Sequence, residues 1–151
     1  MTNFKNVDEV LDFAIDKEIE ASNYYAHLAD HMKEQWMKDL FKNFSNEEKK
    51  HEAKLKEVKA GQRLLPAHDK VTDLKIADYV VDVQDTPGMG FQEALILAMK
   101  REKASFKLYN DLADSTDDQG LKETFLALAQ EEAKHKLRIE ITYDDQILTE
   151  N

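Results

Sequence analysis

The sequence predicts an all-α fold: a four-helix bundle of two antiparallel helix hairpins joined by one long crossover. Three observations predict it. Among 151 residues there are only 4 Gly and 2 Pro, beside 34% charged and 42% hydrophobic residues, a composition poor in helix breakers. Apolar residues recur at steps of three and four along four stretches, the period of a buried helical face. The chain also repeats itself at an offset of 84: residues 11–58 laid over 95–142 give 14 identities in 48 gapless pairs. That offset is twelve heptads, so the stripe register survives the shift. The length fits one domain, residues 1–151.

The elements follow in order. Helix 1, about 6–32, carries Leu11, Ala14, Glu18, Ala21, Tyr25, Leu28 and Met32 on one face, and Asn6 with Glu9 resembles a capping box. Helix 2, about 36–62, carries Met37, Phe41, Phe44, Glu48, His51, Leu55 and Val58. The break between them, Lys33 to Gln35, has no Gly or Pro. Its repeat partner, Ser115 to Gly120, is turn chemistry and so places the weaker break. The crossover, about 63–89, holds Pro66 and Pro87, and Leu74 to Val81 reads as a short helix or extended segment. A helix of ~25 residues is ~38 Å long, which a connection of this length spans. Helix 3, about 90–114, repeats the first stripe with Leu95, Ala98, Glu102, Ser105, Tyr109 and Leu112. Helix 4, about 118–147, repeats the second with Leu121, Phe125, Leu128, Glu132, His135 and Ile139.

Composition excludes several functions. Asp and Glu number 31 against 21 Lys and Arg, a net charge of −10. Such a surface repels phosphate backbones, so no nucleic acid is expected as a partner. Cys is absent, which excludes thiol catalysis, zinc–cysteine sites and iron–sulfur clusters. No apolar run approaches the ~20 residues of a membrane span. The N-terminus, Met1 to Lys5, lacks the apolar core of a signal peptide, so a cytoplasmic location is expected. Phe13, Leu97, Trp36 and Met37 suggest a wider apolar face and a homodimer.

Six polar residues stand on stripes that should be apolar: Glu18, Glu48, His51, Glu102, Glu132 and His135. Four buried carboxylates close together cannot all stay ionised without a cation. Two divalent ions cancel their charge of −4, and two neutral imidazoles complete the set. The spacing agrees. Glu48 with His51, and Glu132 with His135, both read Glu-x-x-His, which puts both side chains on one face. Glu18 precedes Glu48 by 30 residues, as Glu102 precedes Glu132. One Glu from each of two helices and Glu-x-x-His from each of the other two is the pattern of di-iron and di-manganese carboxylate bundles. Tyr25 and Tyr109, seven residues after Glu18 and Glu102, are candidates to hydrogen-bond a ligand carboxylate on a facing helix. Glu47 and Glu131 are candidates to accept from the outer ring nitrogen of the histidine on the opposing helix. His27, His31 and His68 lack a Glu three residues earlier and are expected to be solvated; Glu20 is replaced by Ala104 in the repeat and is left out of the site.

These residues resemble the ferritin-like superfamily, and within it the rubrerythrin-type di-iron proteins. The resemblance covers nearly the whole chain. It rests on Glu18 with Tyr25, Glu48 with His51, Glu102 with Tyr109, Glu132 with His135, and the stretch Ala98 to Ala104 followed by Leu108, Leu112 and Ala113. It implies a ferritin-like fold and two iron ions, with manganese or another divalent metal as the alternative. It also implies that Glu48 and Glu132 bridge the ions, with Glu18 and His51 terminal on one and Glu102 and His135 on the other. The implied activity is reduction of peroxide or dioxygen with electrons from an external carrier such as a rubredoxin-like protein. A ferroxidase serving iron storage or detoxification, a manganese catalase-like dismutase and a non-catalytic metal-binding module are the other readings. The sequence departs from the family twice: the four-cysteine rubredoxin module is lacking, and Ser105 stands where rubrerythrins carry an extra ligand Glu.

Overall fold

The computed structural model describes residues 7–61, 76–79, 81 and 90–148. Four helices dominate: α1 (Val7–His31), α2 (Gln35–Gly61), α3 (Phe91–Asp114) and α4 (Gln119–Tyr143). They lie within a few residues of the expected spans. The main difference is at the C-terminal end, where α4 stops at Tyr143 and the backbone widens into a π-helical turn, Asp144–Leu148. The α1–α2 break contains Met32 N donating to Ala29 O and Met37 N donating to Glu34 O, at 3.3 and 3.2 Å. The α3–α4 turn is fixed by side chains. Asp118 caps α4 by accepting from Leu121 N at 3.0 Å, and Thr116 Oγ1 accepts from Asp118 N at 3.1 Å. Within the crossover, Ile76–Tyr79 form one turn of 3-10 helix. The expected Asn6 cap, His68, Pro66 and Pro87 lie outside the described residues.

Helix α1 packs along α2 and α3 along α4, giving the two hairpins; α1 also meets α3, and α2 meets α4. Ser22 and Ser45 tie the first hairpin together. Ser22 Oγ donates to Ser45 O at 3.1 Å, and Ser45 Oγ donates to Ser22 O at 2.8 Å. Both are buried, so each hydroxyl needs such a partner.

The apolar core is in two parts. One joins Val10 to Ile15 of α1, Leu55 and Val58 of α2, Leu108 to Ala113 of α3 and Leu121 to Ala129 of α4, with Tyr79 of the crossover. The other joins Tyr24 to Ala29 of α1, Leu40 to Phe44 of α2, Ala94 to Ala98 of α3 and Ile139 of α4. The start of α1 therefore lies beside the end of α2, the end of α3 and the start of α4. The crossover leaves α2 at one end of the bundle and enters α3 at the other. Tyr79 joins the first cluster while Val81, two residues on, packs against the second. Tyr79 is anchored by donating its hydroxyl proton to Asp111 at 2.7 Å.

Two packing expectations are corrected. Leu97 is fully buried and so does not belong to an outer apolar face, while Phe13 is partly buried against the core. Met37 is only half-buried; the inward stripe of α2 starts at Leu40 and Phe41. Among the described residues, no helix is long and apolar enough to cross a membrane.

Candidate metal centre

Between the two apolar clusters lies a polar layer. Glu18, Glu48, His51, Glu102, Glu132 and His135 are all buried in it. Each comes from the middle of its helix, where the apolar stripe places it inside the bundle. Their ligand-capable atoms form two groups: Glu18, Glu48, His51 and Glu132, and then Glu48, Glu102, Glu132 and His135. Within each group the atoms lie within 4.8 Å of one another. Glu48 and Glu132 belong to both groups. His51 Nδ1 is 2.7 Å from Glu132 Oε1, 3.3 Å from Glu18 Oε2 and 3.7 Å from Glu48 Oε1. His135 Nδ1 is 3.0 Å from Glu48 Oε1 and 3.6 Å from Glu102 Oε1.

Six buried atoms here make no aligned hydrogen bond: Glu18 Oε2, Glu48 Oε1, His51 Nδ1, Glu102 Oε2, Glu132 Oε1 and His135 Nδ1. Each of the six candidate ligands contributes one. A buried polar atom without a partner costs about 1–3 kcal/mol, and a charged one more. Six converging orphans, all oxygen or imidazole nitrogen, therefore fit a cationic occupant. Oxygen and nitrogen donors suit divalent first-row metals, and two groups sharing two carboxylates fit a pair of ions.

Without metal, protons have to offset this charge. Burial, and then repulsion from Glu18 and Glu102, pushes the Glu48 carboxyl well above the usual range. Burial, and then Glu102, Glu48 and Glu18, does the same to Glu132. At Glu102 burial also pushes upward, but the neighbouring Glu132 and His135 and the hydrogen bond from Tyr25 prevail and hold it below the usual value. Burial pushes His135 down, but the carboxylates of Glu102 and Glu48 beside its Nδ1 outweigh it and raise the imidazole to about 11.

The surrounding residues follow the repeat in part. Tyr25 donates to Glu102 Oε1 and Tyr109 donates to Glu18 Oε1, both at 2.5 Å, so each phenol reaches the carboxylate of the other hairpin. Burial first, and then Glu102 beside Tyr25 and Glu18 beside Tyr109, holds both phenols protonated as donors. Glu47 Oε2 meets Nε2 of His135 on the opposing helix. Glu131 makes no such contact with His51; its carboxylate lies 4.0 Å from Lys134 Nζ. His27 and His31 are exposed on α1, with His31 Nδ1 2.9 Å from His27 O.

A cavity of about 60 Å³ opens between α1, α3 and the crossover. Glu102 and Glu132 stand in its wall, and Lys17, Glu20, Ser105 and Arg101 also line it. Lys17 and Glu20 are ion-paired at 3.0 Å, and the Arg101 guanidinium lies 4.7 Å from the centre of the Tyr24 ring. Sequence reasoning missed this cavity. It draws on α1, α3, Glu132 of α4 and the crossover, and the repeat breaks where Glu20 is paired with Ala104. That asymmetry was the available signal.

No match is found among curated proteins. The crystal structure of a ferritin-like diiron-carboxylate protein from Thermotoga maritima matches with a TM-score of 0.77, over 97% of this chain and 98% of that one. At 20% identity, this shows a shared fold. The family model for rubrerythrin matches residues 9–84 and 93–151. The chain belongs to the rubrerythrin family.

Proposed function

We propose that this chain is a di-iron oxidoreductase that reduces hydrogen peroxide or dioxygen, taking electrons from an external carrier such as a rubredoxin-like protein. The observation that carries the reading is the pair of orphaned ligand groups sharing Glu48 and Glu132. Glu48 and Glu132 would bridge the ions, Glu18 and His51 would complete one shell, and Glu102 and His135 the other. When bound, two ferrous ions supply the two electrons that, with two protons, turn one hydrogen peroxide into two waters. The protein holds the carboxylates close despite their repulsion, and the buried phenols of Tyr25 and Tyr109 fix the orientation of Glu102 and Glu18. The cavity beside Glu102 and Glu132 is sized for small oxidants. The apolar clusters close the layer off along the bundle axis on both sides.

The reading includes a cytoplasmic location and a homodimer, the latter supported by the exposed large apolar side chains Trp36 of α2 and Leu137 and Ile141 of α4. The experiment is anaerobic loading with ferrous iron followed by peroxide. We expect two irons per chain, one peroxide consumed per pair, and optical changes that reverse on re-reduction. Binding without oxidation would reject the oxidoreductase.

A further inference from the structure

The repeat makes the two halves of the centre alike in sequence, but the structure does not keep them alike. His135 is held at two points outside the ligand cluster. Its Nε2 meets Glu47, and its ring lies 4.6 Å from the Phe44 ring, centroid to centroid, tilted by 36°. An offset of 84 pairs Phe44 with Leu128 and Glu47 with Glu131. Leu128 has no ring to lay against His51. The Glu131 carboxylate is 45% exposed and faces Lys134. Among the described residues, the carboxylates near His51 all approach Nδ1, the inner nitrogen.

We propose that the two halves bind metal unequally, the Glu102–His135 half more tightly than the Glu18–His51 half, with Glu47 as the positioning residue that makes the difference. The inference rests on the two-ion reading above. Once metal displaces the Nδ1 proton, a carboxylate on Nε2 holds the remaining N–H and so keeps the ring oriented with Nδ1 toward the cluster, and it makes the imidazole a stronger donor. Phe44 restricts rotation of the same ring. His51 is without both restraints and must lose more side-chain freedom when it binds. Outer partners of this kind change metal affinity by about 10–100-fold.

Cobalt(II) is a suitable probe, followed by calorimetry and visible absorption on chelator-treated protein. The shared carboxylates couple the two binding steps, so the comparison of variants carries the answer. Glu47→Gln is expected to weaken the first step about 10–100-fold and to shift the spectrum of the first equivalent. Phe44→Leu should weaken the same step, and Glu131→Gln should leave both steps within about twofold of wild type. A structural role alone would not separate Glu47 from Glu131 in this way. Equal losses from Glu47→Gln and Glu131→Gln, or no loss from either, would overturn the inequality while leaving the two-ion centre standing. Failure of the wild type to take up any cobalt would overturn the centre itself.

Discussion

Replacing both shared carboxylates, Glu48→Leu with Glu132→Leu, is expected to abolish metal uptake and at the same time to stabilise the chelator-treated protein. The two effects share one cause. Glu48 and Glu132 are buried among like charges and hold their protons far above the usual range because ionisation there is costly. Exchanging buried ionic groups for apolar ones of similar volume is often stabilising, by about 1–4 kcal/mol. Leucine would also join the apolar clusters on either side of the layer. The comparison is a urea midpoint in EDTA, with metal per chain measured by elemental analysis. A lower midpoint for the double variant, or retention of two ions per chain, would count against a layer held for metal binding at the expense of stability.

The second large effect is a reversal of pH dependence. In the metal-free protein Glu48 and Glu132 are raised above their ordinary value of 4.5, and His135 is raised from 6.5 to about 11. A group whose value is raised on folding contributes stability in full below its unfolded value, and loses that contribution as pH climbs through the folded one. Glu48 and Glu132 therefore weaken the metal-free fold as pH rises above about 4.5, and His135 adds to this above about 6.5. Glu102 is lowered and has the opposite sign, but its contribution is lost only in more acidic solution. Each group titrating differently in the two states is worth up to about 1.4 kcal/mol per pH unit. Metal inverts the trend, because ligands must shed their protons to bind it. Thermal midpoints taken from pH 5 to pH 9 should fall in EDTA and rise with bound metal over the acid half of that range. Parallel slopes in the two series would contradict this account.

Much of the fold was legible because two signals reinforced each other. The heptad-preserving offset located the α1–α2 break, which Lys33 to Gln35 alone hardly mark. The same offset tied Glu18, Glu48 and His51 to Glu102, Glu132 and His135, and the structure brings all six together. The crossing of Tyr25 to Glu102 and Tyr109 to Glu18 was legible in kind, since a buried phenol needs an acceptor. What escaped were features created by departures from the repeat. Glu131 matches Glu47 in sequence but not in contact, and the ring of Phe44 is answered by Leu128. Leu97 looked like a surface residue because its stripe was assigned too narrowly; the cluster at its end of the bundle encloses it. The Ser22–Ser45 exchange depends on two backbones lying close, which neither stripe encodes.

The division of the core into two clusters has a wider consequence. Each cluster recruits all four helices, so each end is a complete brace for the bundle. The six-residue layer between them works as an interchangeable slab. Substitutions at the six positions of that layer leave every residue of both braces in place. Architecture and chemistry in this chain thus occupy separate stations along the bundle axis, and selection can revise one without dismantling the other.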